Sequence, residues 1–242
     1  MSRTKTPPSN VESARASAAK AAGQLRRTGI STNLKVTLGI LVTALVAVLV
    51  VVVINFQGGP HVGRAEVMRT DSNRLSTGAT APEVTVVEFL DFECGGCRAA
   101  YADIEKLRGE YRDRVAFVIR YFPLKIHPNA QNAAYAAEAA ARQGKLEQMY
   151  KTLFDNQAAW AGKREPQTAT FEKYAEGIGL DVDRFKKDVR SAEVRARVKT
   201  DVSDGTQLGL TGTPSFFVNG EPFAGKARYG PLKAAIDAAL AK

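Results

Sequence analysis

Sulfur and imidazole are scarce here: the 242 residues hold two cysteines, two histidines and one tryptophan. Two cysteines close at most one intramolecular loop, so a disulfide-rich scaffold is excluded. A structural zinc site wants four ligands. Beyond the cysteines only His61 and His127 could contribute, with no second cysteine pair and no H-x-x-x-H. No glycine-rich phosphate loop follows an apolar strand-like run, which removes the common nucleotide-binding classes. Internal repeats are absent as well, so a solenoid is not expected. What the chain does have is 45% hydrophobic and 8% aromatic residues, enough for a real core and too much for a disordered protein.

The net charge of +9 would suggest nucleic acid if it were spread over the whole chain. It is not spread. Before residue 36, seven basic residues (Arg3, Lys5, Arg15, Lys20, Arg26, Arg27 and Lys35) face Glu12 alone, so this arm carries six of the nine net charges. The arm runs into VTLGILVTALVAVLVVVVI, Val36 to Ile54, which has no charged residue. At about 1.5 Å per residue this run would span roughly 28 Å as a helix, close to the hydrocarbon thickness of a bilayer. It is longer than the apolar region of a cleaved signal peptide and gives way to NFQGG rather than a small-x-small site. Arg26-Arg27 sits too far from the run for a twin-arginine signal. The expected organisation is a basic cytoplasmic arm over 1–35 and a single transmembrane helix over 36–54. An extracytoplasmic linker over 55–82 and a folded domain over 83–242 follow, with the orientation set by the flanking positive charge. The arm then has a lipid bilayer, not nucleic acid, as its partner.

The linker is rich in Gly, Asn, Ser and Thr, with a short strand expected around Ala65 to Met68. After it, VTVVEFL (Val84 to Leu90) is a β-rich apolar run suited to a strand buried on both faces. Apolar positions at Ala100, Tyr101, Ile104, Leu107 and Tyr111 then form a helical stripe, and VAFVIRYF (Val115 to Phe122) predicts a second buried strand. This is a βαβ unit. Residues 128 to 209 read as almost wholly helical, with pieces starting near Asn129, Thr168, Asp181 and Ser191. A simple crossover needs far fewer residues, so an inserted helical subdomain is expected. SFFVNGEPFAG returns to strand signals around an Asn219-Gly220 hairpin turn, and Pro231 opens a last helix.

Both cysteines fall in EFLDFECGGCRAAY, at the end of the first buried strand. As a staple the pair is weak, because a loop enclosing two residues restricts the unfolded chain little. As a metal site it supplies half the ligands. A redox pair fits the position: Cys94 lies where strand hands over to helix, and the unpaired N–H groups of the helix start favour a thiolate. Cys97, one turn further on, can attack it in turn, and Gly95-Gly96 leaves the pair open to a large substrate.

The stretches VTVVEFLDFECGGC, YFPLKIHPNA, AAYAAEAAARQGKLEQMY and GLTGTPSFFVNG resemble the DsbA-like branch of thioredoxin-fold proteins, particularly its membrane-anchored bacterial members. The resemblance covers roughly residues 66 to 240, and DSNRL (Asp71 to Leu75) is similar to that branch's lead-in segment. It implies an α/β thioredoxin fold interrupted by a helical subdomain, and thiol-disulfide exchange on secreted proteins without any cofactor beyond the cysteine pair. By position, Cys94 matches the exposed nucleophile, Cys97 the resolving cysteine, and Pro214 after Thr213 the proline that is cis in these proteins, presenting the Thr213 backbone to an extended substrate. Glu88 matches an acid buried beneath the disulfide, able to relay a proton to Cys97; a solvent-facing edge glutamate is the alternative. Family members with a histidine inside C-x-x-C are strong oxidants, and Gly95-Gly96 departs from that pattern. His127 also matches a family pattern, read here as setting a helix start, and Trp160 reads as core or groove wall.

The expected function is a membrane-tethered oxidase that donates its disulfide to exported proteins and is reoxidised by a quinone-linked membrane partner. A reductase or isomerase shares every motif. A thioredoxin-fold binding or chaperone module, with incidental cysteines, is the alternative from another class.

Overall fold

The computed structural model describes residues 32–57, 63, 67, 73–75 and 81–242. The chain divides into two compact units, Met1–Gly59 and Pro60–Lys242. In the first, helix α1 runs Thr32–Gln57. Its apolar side chains at Val36, Leu38, Ile40, Leu41, Val42, Leu45, Val46 and Val48 are all exposed. Side chains of α1 are described only as far as Val48, and no helix, taken over its described residues, is long and apolar enough to cross a membrane. The arm before Thr32 lies outside the described residues.

The second unit is built on a five-stranded sheet in which the strands 74–75, 115–121, 84–90, 215–218 and 221–222 lie side by side in that order. The central pair is β2 (Val84–Leu90) and β3 (Val115–Tyr121), parallel and in register from Val84 opposite Val115 to Leu90 opposite Tyr121. Both strands are buried along their whole length, which is why they read as continuous apolar runs. Helix α2 (Gly95–Glu110) makes the crossover. Its Ala100, Ile104 and Leu107 pack with Val84 and Val86 on one sheet face, joined by Leu232 and Ile236 of the terminal helix α9 (Tyr229–Leu240). Val87 and Phe89 point to the opposite face, against Phe122 and Phe217.

Six helices separate β3 from β4: α3 (Ala130–Ala141), α4 (Leu146–Asp155), α5 (Gln157–Trp160), α6 (Thr168–Gly177), α7 (Val182–Arg190) and α8 (Ala192–Gln207). Asp181 and Ser191 cap α7 and α8 through their side-chain oxygens. The insertion is locked to the sheet by charge. Arg120 of β3, with no exposed surface, is paired with Asp201 and Asp204 of α8, while Asp201 Oδ2 accepts from Tyr121 N at 3.0 Å. Gly205 lets α8 approach closely, since a Cβ there would lie 2.7 Å from the Phe122 ring.

The hairpin β4 (Ser215–Val218) and β5 (Glu221–Pro222) turns at Asn219 (φ 50°) and Gly220 (φ 79°), the left-handed pair that a tight two-residue turn demands. Asn219 pins the turn to β2: its N–H donates to Thr85 O and its Oδ1 accepts from Thr85 N, both at 2.8 Å. With β4 antiparallel to β2 and Ser215 opposite Phe89, the segment before β4 is carried to the end of β2 that holds the cysteines.

Two expectations need correction. Val67 is helical, its N–H donating to Gly63 O at 3.0 Å, so no strand passes through it; Ala65, Glu66 and Met68 lie outside the described residues. The stretch read as a linker also supplies β1 (Arg74–Leu75), antiparallel to β3, with Leu75 in the core. Two residues carry no periodicity, so this edge strand is invisible to pattern reading.

Candidate active site

Cys94 sits at the N-cap of α2 with extended backbone (φ −70°, ψ 125°), and its carbonyl accepts the first helical bond from Arg98 N at 3.1 Å. Its side chain is half-buried, whereas Cys97, one turn in, has no exposed surface. Both are free thiols. A hydrogen bond from the Cys97 thiol, partial burial working against it, the Thr213 side chain and the N–H groups of Cys97 and Gly96 together bring the Cys94 thiol down to about 4. Cys97 is pushed the other way by burial, by donating to Cys94, and by the charges of Glu88 and Cys94. The two thiols are therefore unequal: one is an accessible thiolate at neutral pH, the other a buried thiol.

The Thr213-Pro214 peptide bond is cis and faces this pair. Cys94 Sγ donates to Thr213 O at 3.4 Å in the thiol form. The buried Thr213 hydroxyl has no partner in that state and is the donor that favours the thiolate. A Cβ on Gly96 would meet Pro214 Cδ at 3.2 Å and Cys94 Sγ at 3.5 Å, while one on Gly95 would meet open space. Gly96 thus serves close packing of the proline loop on the cysteine turn, and Gly95 leaves the outer face bare.

Glu88 is buried, not a solvent-facing edge residue; it shares its sheet face with Val86 and, with Ile104 of α2, lines a small cavity of about 10 Å³. Burial first, then the negative charge of Cys94, pushes its carboxyl up to about 8. The structure thus brings Cys94, Cys97, Glu88, Thr213 and Pro214 to one end of β2.

Several polar residues around this turn were not singled out by sequence. Asp91 accepts from Glu93 N at 2.7 Å, Leu124 N at 2.9 Å and the His127 ring at 2.6 Å. Glu93, also buried, accepts from Asn129 N at 2.6 Å and Gly162 N at 2.7 Å. Gln157 Nε2 donates to Phe92 O at 2.7 Å and Cys94 O at 3.1 Å. These bonds fasten the cysteine turn to the helical insertion. The available signal was two carboxylates flanking Phe92 in a stretch otherwise bound for the core. His127 does not set the helix start, which is taken by Asn129; it pairs with Asp91. Trp160 is core, edge-on to Phe171, with its indole N–H donating to Leu153 O at 3.1 Å. Among the described residues no three of His, Cys, Asp and Glu are grouped to hold a metal ion.

A solved thioredoxin-like oxidoreductase from Silicibacter pomeroyi is 30% identical, superposes with a TM-score of 0.63, and is covered over 99% of its length by 74% of this chain. The thiol-disulfide exchange protein alpha-DsbA2 from Wolbachia pipientis shares the fold at 20% identity and a TM-score of 0.61, covering 74% of this chain and 93% of its own. Among curated proteins, the Na(+)/H(+) antiporter NhaA 3 of Salinispora tropica is 39% identical over 159 residues, 65% of this chain and 23% of the antiporter. The chain spans about a quarter of the length of the curated relatives it matches. The thioredoxin profile matches residues 70–238, and the chain belongs to the thioredoxin family, with the DsbA-like form of its fold.

Proposed function

We propose that this protein is a membrane-tethered thiol-disulfide oxidoreductase that donates its Cys94–Cys97 disulfide to exported proteins. One observation carries the reading: an accessible thiol held at about 4 stands one helical turn from a buried thiol held high. Stabilising the Cys94 thiolate stabilises the dithiol state, and a pair whose reduced form is favoured is an oxidant. A substrate thiolate attacks Cys94 Sγ, the S–S bond breaks, and Cys97 leaves and takes up a proton. A second substrate thiolate attacks the substrate sulfur of the mixed disulfide and releases Cys94 as thiolate. Two electrons pass from two substrate thiols to the cysteine pair, and a quinone-linked membrane partner is proposed to accept them in turn. The low value at Cys94 offsets the absence of a histidine in Gly95-Gly96.

The deciding measurement is the reduction potential of the pair in glutathione buffers. A value near about −120 mV is expected for a donor; one near about −270 mV would make the protein a reductant.

The tether reading is supported by the apolar surface that α1 exposes between Val36 and Val48, by the uncharged run to Ile54, and by the basic arm before it. Protease added to intact spheroplasts should digest the chain beyond about residue 60 and spare the arm. Protection of the cysteine-bearing unit would overturn the extracytoplasmic placement.

A further inference from the structure

Gly95-Gly96 leaves the C-x-x-C without a charged side chain, yet an ionisable ring reaches the cysteine turn from outside the motif. His127 lies in the loop between β3 and α3, and its Nδ1 meets Asp91 Oδ2 at 2.6 Å. Asp91 is well placed to hold it: Leu124 N and Glu93 N fix the carboxylate from two other directions. The same residue is tied to both cysteines through its main chain. Cys94 N donates to Asp91 O at 3.1 Å, and Asp91 N donates toward Cys97 Sγ at 3.5 Å. The imidazole therefore rides on the residue to which both cysteines are tied.

We propose that His127, held as an imidazolium by Asp91, is a positioning residue of the exchange reaction whose positive charge stabilises the Cys94 thiolate, and with it the dithiol state. This rests on the thiol-disulfide reading above. The charged and titratable groups facing the ring are Asp91, Glu93 and Cys94, with exposed Lys125 two residues earlier on the same loop. Gln157, the residue of α5 that contacts this turn, is neutral. Partial burial works against the charged ring, but Asp91, Cys94 and Glu93 together raise it above the ordinary histidine value. The coupling is reciprocal: if the thiolate favours the protonated ring, the protonated ring favours the thiolate by the same free energy. Asp91 is common to both charge states of the ring, so what the Cys94 thiolate gains or loses with protonation is the charge of the ring alone. A ring placed only to satisfy Asp91 could be neutral.

Two experiments on the full chain in neutral detergent test this. The first needs no substitution. With two histidines in the chain and His61 as internal control, the His127 ring is followed by NMR in both redox states. Its titration midpoint should fall by about half a pH unit or more when Cys94 is oxidised and the thiolate charge disappears; an unchanged midpoint overturns the proposal. The second follows iodoacetamide alkylation of the reduced protein against pH, which reads Cys94 because Cys97 is inaccessible. His127→Gln keeps a donor toward Asp91 and removes the charge, whereas His127→Lys keeps a cation. His127→Gln should raise the Cys94 midpoint by about one pH unit. It should also shift the glutathione equilibrium about tenfold toward the disulfide, equivalent to about 30 mV more negative. High salt should shrink the difference, and His127→Lys should recover much of it. A parental midpoint in His127→Gln, or equal shifts in both variants, would show that charge is not the agent. A parent chain that fails to exchange with glutathione at all would defeat the functional reading instead, while the alkylation titration would still decide the role of the ring.

Discussion

Cys97→Ser should accumulate covalent, reductant-sensitive adducts with exported proteins, and Cys94→Ser should accumulate none and lose exchange altogether. The asymmetry follows from position. Cys94 is the half-buried N-cap of α2, with its thiol lowered to about 4 by the Cys97 thiol, the Thr213 side chain and the N–H groups of Cys97 and Gly96. At neutral pH it is almost wholly thiolate, the attacking species in exchange and a good leaving group. Cys97 has no exposed surface and is held well above the ordinary cysteine value, so it meets only Cys94. Replacing it by serine removes the one group placed to resolve a mixed disulfide, and the intermediate should persist on non-reducing gels. Equal adducts from the two variants, or the reverse pattern, would show that the nucleophile is misassigned. If neither variant formed adducts and both kept the parent's function, the cysteines would be incidental and the binding-module alternative would stand.

The elements that position this pair were legible because each has a period or a local chemical signature. β2 and β3 are buried on both faces and so read as unbroken apolar runs; α2 shows its stripe from Ala100 to Leu107; Asn219-Gly220 announces a left-handed turn. What stayed hidden depends on partners distant in sequence. Arg120 looks like an interruption of an apolar strand, and only the fold reveals Asp201 and Asp204, spaced one turn apart on α8, that make its burial tolerable. Asp91 and Glu93 lie inside the motif itself, but their roles are set by Leu124 and His127 of the loop after β3 and by Asn129 and Gly162 of the insertion. The cysteines announced the chemistry. The shell that tunes them did not announce itself, because pairs of donors and acceptors more than 30 residues apart leave no pattern in one chain.

Glu88 should make the native state lose stability as the solution becomes less acidic, and Glu88→Gln should abolish that loss. The sign follows from linkage. Its carboxyl titrates near 4.5 when exposed and is pushed up to about 8 in the fold, first by burial and then by the Cys94 charge. Below 4.5 both states are protonated and the group is neutral to stability. Between 4.5 and 8 the unfolded chain releases a proton that the native state retains, so raising the pH favours unfolding throughout that window. At pH 7 the accumulated cost is about 3 kcal/mol, a large share of an ordinary folding free energy. Cys94 runs the other way: with its native value depressed to about 4, the dithiol form gains stability as pH rises above that value. The disulfide form lacks this compensation, because a bonded sulfur does not titrate, so there the burial of Glu88 acts on the slope unopposed. Trp160, the single tryptophan and fully buried, gives the signal for urea unfolding of the disulfide form at pH 5 and pH 7.5. The parent should be markedly weaker at the higher pH, and Glu88→Gln should narrow the gap by up to about 3 kcal/mol whatever its offset at pH 5, the Cys94 charge that adds to the Glu88 shift being absent from the disulfide. A variant whose slope matches the parent's would mean that Glu88 is ionised in the native state. It could then hold no proton beneath Cys97 at neutral pH, and the relay expected of it would be lost with the stability effect.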